Sequence, residues 1–130
     1  METTNEFSFF LKQSEHGLGV FTAHRIQKGT YLRLFGDDKK FENRARARKQ
    51  QDVPEFFSQY CLDRGDLLMC PPDFGHMAIG WYLNHSKTPN AIHRNFDWYA
   101  VKDILSGEEI TIDYNSLEEP EDAKEDYYAQ

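Results

Sequence analysis

Gly80-Trp81-Tyr82-Leu83-Asn84-His85-Ser86-Lys87-Thr88-Pro89-Asn90 is the stretch on which the fold turns. It places an aromatic pair, three consecutive polar side chains and a proline-stiffened turn in one short run. Trp81-Tyr82-Leu83 reads as the end of a short apolar strand. Asn84, His85 and Ser86 together supply several hydrogen-bond donors and acceptors. Thr88-Pro89-Asn90 is a turn signal. A polar cluster held between a strand and a fixed turn makes a rigid binding corner.

Working outward, two further pieces stand out. Upstream is Gly17-Leu18-Gly19-Val20-Phe21, where a glycine pair opens a strand. Downstream is Gly107-Glu108-Glu109-Ile110-Thr111-Ile112-Asp113-Tyr114, which alternates so that Ile110, Ile112 and Tyr114 share a face. Between and around them lie short candidate strands at residues 7–12, 20–23, 31–35, 67–70, 91–94 and 98–101, separated by Gly, Pro and Asn turns. Residues 41–51, rich in Ala, Arg, Lys and Gln, predict the one good helix of the first half. Residues 56–62 fit either a short helix or a strand. The pattern is that of a mainly β domain with a few short helices.

The chain has 130 residues and 39% hydrophobic residues, including ten Phe, seven Tyr and two Trp. That suffices for one compact core, so residues 1–130 are expected to form a single domain. It contains no apolar run of about 18 residues, and Met1 to Phe10 lacks the pattern of a signal peptide, so the expectation is an intracellular protein, cytoplasmic or nuclear and not secreted. The net charge of −7 argues against nonspecific nucleic-acid binding and fits a lysine-rich partner. Lys39, Lys40, Arg44, Arg46, Arg48 and Lys49 form a basic run, whereas residues 116–130 are an acidic tail ending near Tyr127-Tyr128. Cys61 and Cys70 are too few for a disulfide framework or a zinc site and read as two thiols with some burial.

Taken together, the three motifs in this order resemble the SET domain of protein lysine methyltransferases. The early Gly17-x-Gly19, the central Asn84-His85-Ser86-x-x-Pro89-Asn90 and the final Gly107-Glu108-Glu109-Ile110-Thr111-x-Asp113-Tyr114 carry the resemblance, which covers about residues 6–115. It implies a β-clip-like set of small sheets with a C-terminal pseudoknot. It also implies S-adenosylmethionine on one face, substrate on the other, and a narrow lysine channel between. By the same resemblance Tyr114 is the catalytic tyrosine and Tyr60 either a second channel tyrosine or a core aromatic. Asn84 and His85 bind the cofactor, and Gly17, Leu18 and Gly19 let the backbone approach it. Tyr82 belongs either to the channel and cofactor side or to the core. Asp113 and Glu109 are expected to be structural.

The chemistry agrees with such a set. Methyl transfer from a sulfonium needs a neutral amine, and free lysine has a pKa near ~10.4, so the site must desolvate the ammonium. Alignment of the reacting groups can supply roughly 7–11 kcal/mol.

The chain departs from the commoner family pattern in several places. Trp81-Tyr82-Leu83 stands where an arginine is frequent, and the flanking cysteine-rich zinc clusters are missing, as in the minimal stand-alone members of the family. The acidic tail, or a second subunit in a homodimer, is then expected to cover the substrate site. Ile112 occupies a position usually held by Phe or Tyr, so an aromatic gate comes from elsewhere or is absent. The alternative reading is a catalytically inactive SET-like module that binds a basic peptide or protein. A metal-dependent hydrolase using His76, His85 and His93 is disfavoured, because the chain has no His-x-x-x-His pair and no carboxylate at ligand spacing; no metal is expected.

Overall fold

A computed structural model describes residues 2–15, 17–36 and 44–117. In chain order the strands are β1 (Phe9–Ser14), β2 (Gly17–Thr22), β3 (Tyr31–Leu32), β4 (Arg46–Lys49), β5 (Leu62–Asp63), β6 (Leu67–Cys70), β7 (Asn84–His85), β8 (Ala91–Arg94), β9 (Asp97–Ala100) and β10 (Glu109–Ile112). One helix, α1 (Glu55–Ser58), and three 3-10 turns, Gln50–Asp52, Ile79–Tyr82 and Tyr114–Leu117, complete the described elements.

The strands form three small sheets, in the orders β1-β2-β10-β7, β3-β9-β8 and β4-β6-β5. The first sheet positions the site. β10 lies between β2 and β7, antiparallel to β2 with Ile110 opposite Val20, and parallel to β7 with Ile112 opposite His85. Alternation along β10 explains its place. Ile110 and Ile112 are buried in the main core with Val20, Leu83 and Trp98, while Glu109 and Thr111 face the other side. Asn90 fastens this strand to the loop after β7: its Nδ2 donates to the Glu109 carbonyl at 2.8 Å and its Oδ1 accepts from Thr111 N–H at 2.9 Å. The turn read from Thr88-Pro89-Asn90 therefore serves as a clasp on the C-terminal strand.

The mainly β architecture matches the expectation, and the differences are local. The helix expected over residues 41–51 does not run through Arg46–Lys49. Arg46–Lys49 instead forms β4, paired antiparallel with Leu67–Cys70; residues 41–43 lie outside the described residues. Helix propensity is worth only a few tenths of a kcal/mol per residue, and here it is outweighed by the β6 ladder and by Arg48. The Arg48 guanidinium donates to the Pro71 and Pro72 carbonyls at 2.8 and 2.9 Å and lies 5.1 Å from the centre of the Phe74 ring. Residues 56–62 divide between the end of α1 and the start of β5.

Trp81 and Tyr82, read as a strand end, lie in the 3-10 turn Ile79–Tyr82. Gly80 makes that turn possible. Its N–H donates to the Leu34 carbonyl at 2.9 Å, and a Cβ there would stand 2.6 Å from the Phe35 ring. A second, smaller core of Val53, Leu68 and Cys70 lies under β4-β6-β5, with Phe57 and Phe74 packed on it. No described helix is long and apolar enough to cross a membrane.

Candidate active site

Tyr114 opens the 3-10 turn that follows β10, and three contacts hold the segment. Its N–H donates to His85 Nδ1 at 3.0 Å, and its hydroxyl donates to the Leu83 carbonyl. Two residues on, the Ser116 carbonyl lies 3.1 Å from His93 Nε2. Because His85 Nδ1 accepts from a backbone N–H, we assign the proton of its neutral ring to Nε2. Asp113 stands beside this unit, with Oδ1 3.7 Å from His85 Nδ1. The same oxygen accepts from Asn115 N–H at 2.9 Å, and the Asp113 carbonyl accepts from the Ser116 hydroxyl at 2.6 Å. Asp113 thus shapes the turn that presents Tyr114.

Along the Leu83-Asn84-His85 run, successive side chains point to opposite sides. Leu83 lines a cavity of about 410 Å³. Asn84 turns toward β2 and β10: its Nδ2 donates to the Leu18 carbonyl at 3.2 Å and to Glu109 Oε2 at 2.7 Å. Glu109 Oε1 in turn accepts from the Ser14 hydroxyl at 2.8 Å. Gly19 is required by this network, since a Cβ would stand 2.3 Å from Glu109 Oε2 and 3.0 Å from Asn84 Nδ2. Gly17 is required by its own backbone, with a φ of +102°. Leu18 between them is exposed.

The residues expected at the site therefore fall into two groups. Tyr114 and Tyr60 line the cavity. Gly17, Leu18, Gly19, Asn84 and His85 do not; Asn84 meets the Leu18 carbonyl and Gly19, whereas His85 meets Tyr114. Tyr82 belongs to neither group. Its ring backs Tyr60 with centroids 5.3 Å apart, and its hydroxyl points to Met77 Sδ at 3.5 Å.

The cavity wall also holds Phe35, Trp81, Phe96, Trp98 and Ile112, with Arg44, Glu55 and Asp63 as charged members. Sequence reasoning missed Phe35, Phe96 and Trp98 as site residues. They come from three separate segments, and no local spacing marks them. A signal did exist at Phe96: a bulky residue stands in a two-residue turn, where glycine is the ordinary choice. Phe35 also lines a second cavity of about 470 Å³ with Arg33, His76 and Met77, so its ring forms part of both walls.

Cys61 lies on the cavity wall, and its thiol meets that of Cys70. Burial, reinforced by the Cys70 thiol, pushes the Cys61 pKa well above its ordinary value, so the group stays protonated and a poor nucleophile. Far from the cavity, the Lys28 N–H and the Arg25 guanidinium hold the Asp103 carboxyl below the usual range. Among the described residues no group of three or more His, Cys, Asp or Glu side chains could hold a metal ion.

The SET domain family matches residues 17–115. The crystal structure of a Plasmodium falciparum putative histone methyltransferase shares the fold, with a TM-score of 0.51 at 20% identity, covering 83% of this chain and 93% of that chain. No curated protein sequence matches. The family match spans both glycines, the Asn84-His85 run and Tyr114, and the chain belongs to the SET domain family.

Proposed function

We propose that the protein is an S-adenosylmethionine-dependent protein lysine N-methyltransferase. The observation that carries this reading is the setting of Tyr114, fixed at hydroxyl and backbone on the wall of an aromatic cavity. The Tyr114 proton is engaged by the Leu83 carbonyl, which leaves the phenolic oxygen as an acceptor toward an incoming amine. The aromatic wall excludes water and disfavours the charged ammonium, which promotes the neutral nucleophile. Tyr60, which also lines the cavity and is backed by Tyr82, would confine the side chain so that the nitrogen meets Tyr114 in one orientation.

The donor set behind Leu83 fits the cofactor. The Glu109 carboxylate, the Leu18 carbonyl and the Asn84 amide converge there, a combination suited to the ammonium end of an amino acid. Gly17, Leu18, Gly19, Asn84 and His85 would hold it. When bound, S-adenosylmethionine supplies an electrophilic methyl group on a sulfonium. The Asn84–Glu109 bond would re-form around that ligand, so Asn84 contributes both to the fold and to affinity.

A basic substrate such as a histone-like protein agrees with the net charge of −7 and with the carboxylates of Glu55 and Asp63 at the cavity. The same reading makes the protein intracellular and residues 1–130 one domain. Its acidic tail is proposed to cover the substrate side; residues 118–130 lie outside the described residues.

The test is transfer of labelled methyl groups to a panel of lysine-rich proteins, with cofactor binding measured by calorimetry. Wild-type protein is expected to transfer. Tyr114→Phe should lose activity by about 10²-fold with cofactor affinity retained, and Asn84→Ala should weaken cofactor binding by about tenfold or more. Absence of both transfer and cofactor binding in the wild type overturns the reading. Peptide binding without transfer favours the inactive module instead.

A further inference from the structure

Ser116 lies in the short turn that Tyr114 opens, and its carbonyl is among the last of that turn. Carbonyls at such an end find no donor within the helix and take one from elsewhere. Here the donor comes from another sheet. His93 of β8 brings Nε2 to 3.1 Å from the Ser116 oxygen. The next carbonyl, that of Leu117, accepts from Arg64 at 2.7 Å.

The His93 ring is held by packing as well as by bonds. It meets Trp98, its register partner on β9, and Phe96, each with centroids 4.8 Å apart and with planes at 49° and 20°. In this place Nδ1 accepts from the Phe96 N–H at 3.0 Å. Asn95 and Phe96 form the tip of the β8–β9 hairpin with φ of 53° and 66°. A tight two-residue turn requires such positive values, and a bulky aromatic resists them. Arg44, 6% exposed, steadies the same tip, donating to the Phe96 carbonyl at 2.9 Å and to Asp97 Oδ1 at 3.1 Å.

The two bonds of the ring decide where its proton sits. Nδ1 accepts and carries none, so Nε2 carries it and donates to Ser116. The other tautomer would set Nδ1–H against the Phe96 N–H and turn a lone pair toward the Ser116 carbonyl. A second proton would remove the acceptor at Nδ1 and keep the donor at Nε2. Acid would then part the ring from the hairpin tip and spare the Ser116 bond. The charged and titratable groups of the surrounding elements are engaged elsewhere. Arg44 pairs with Asp97, Arg94 lies over the Tyr99 ring, Glu109 holds Asn84, Asp113 stands by His85, and the Tyr114 hydroxyl bonds to Leu83. Among the described residues no carboxylate forms an ion pair with His93.

We propose that His93 is a positioning residue for Tyr114: as the neutral Nε2–H tautomer it fixes the Tyr114 turn against the β8–β9 hairpin tip. Phe96 and Trp98 line the same cavity as Tyr114, so the tie sets the spacing between the hairpin side and the Tyr114 side. The importance of Tyr114 rests on the function proposed above; the tie rests on the two bonds alone.

The test is nuclear magnetic resonance of the full chain. Above the titration of the ring, long-range proton–nitrogen spectra should show His93 with a bare Nδ1 and a proton on Nε2. On acidification the Phe96 amide shift should follow the His93 ring with one midpoint. Neither readout needs a variant. Two substitutions then separate the bonds: the amide oxygen of His93→Asn stands in for Nδ1, and the amide nitrogen of His93→Gln for Nε2. His93→Asn should speed hydrogen exchange at Tyr114 and Ser116 about fivefold and spare Phe96, and His93→Gln should do the opposite. Lost packing alone would loosen both places in both variants. That result overturns the proposal, as does a proton on Nδ1 or a Phe96 amide that ignores the titration. In the methyl-transfer assay His93→Asn should lower kcat about fivefold with KM retained; an unchanged kcat with the tie lost overturns the positioning role. A wild type that shows the tautomer and the crossed pattern but transfers no methyl group keeps the tie and removes the enzymatic reading. Transfer with an uncrossed pattern does the reverse.

Discussion

The two walls of the cavity rest on different foundations. The Tyr114 wall is tied down by hydrogen bonds from distant parts of the chain, through Leu83, His85 and the His93–Ser116 contact, over a core that includes Val20, Ile110 and Ile112. Tyr60 follows a single helical turn, α1, and its neighbours Phe57 and Cys61 pack on the small cluster of Val53, Leu68 and Cys70. On the proposed function, chemistry that depends on alignment would sit on the over-determined wall, and substrate would enter past the lightly supported one. Local opening is expected to follow the same division, because regions with few buried apolar contacts open at lower free energy.

The comparison is most exposed at Leu68, which is 5% exposed and central to the smaller core. Leu68→Ala should destabilise the fold by about 2–5 kcal/mol. In hydrogen exchange, amides of β4-β6-β5 should lose protection well before Ile110 and Ile112. Equal loss in both sheets would make the walls one cooperative unit and end the distinction.

A smaller effect is expected at Gly80, where the walls meet through Phe35. An alanine Cβ would stand 2.6 Å from the Phe35 ring and 3.0 Å from the Leu34 carbonyl. The ring has cavity space to move into, but the carbonyl does not. Gly80→Ala should therefore cost about 1–3 kcal/mol in denaturant unfolding, with shifted ring resonances for Phe35 and Trp81. Gly19→Ala strikes the mobile end of Glu109 instead and should cost about 1 kcal/mol by weakening the Asn84 contact. If Gly19→Ala proves the more damaging, the Ser14–Glu109–Asn84 network is stiffer than its side-chain composition suggests.

The smallest effect concerns pH. In the unfolded chain the Cys61 thiol ionises near its ordinary value of 9.0, whereas burial beside Cys70 keeps it protonated in the folded protein. The unfolded state then binds fewer protons as pH rises, so stability is unchanged below that value and declines above it. Between about pH 8 and 10 the melting temperature should fall more steeply for the wild type than for Cys61→Ala. Parallel slopes would mean that the Tyr60 wall admits water to Cys61 and is looser still.

Much of this molecule was legible before any coordinates. The pairing of Asn84-His85 with the strand that leads to Tyr114 follows motifs written in short contiguous runs, whereas the clash with Glu109 that requires glycine at 19 appears only in the folded chain. The expected helix at residues 41–51 failed over Arg46–Lys49, because propensity counted only local terms. The ladder with β6 and the carbonyls of Pro71 and Pro72 lie some twenty residues away. Trp81, in the run that stands where an arginine is frequent, lies on the cavity wall, a place that its position in the motif did not reveal.

By itself the sequence determined the β class, the family and the residues that meet around β10, since hydrophobic alternation and turn chemistry act over a few neighbours. Tertiary structure alone decided which aromatics share the cavity. Phe35, Tyr60, Phe96 and Trp98 belong to different strands and turns, and nothing in their spacing brings them together. It also decided that Phe96 would occupy a left-handed turn, because the Arg44 and His93 contacts that hold it there exist only once the chain has folded. The physical reason is the same in each case: local preference is weak, and it yields where distant groups converge.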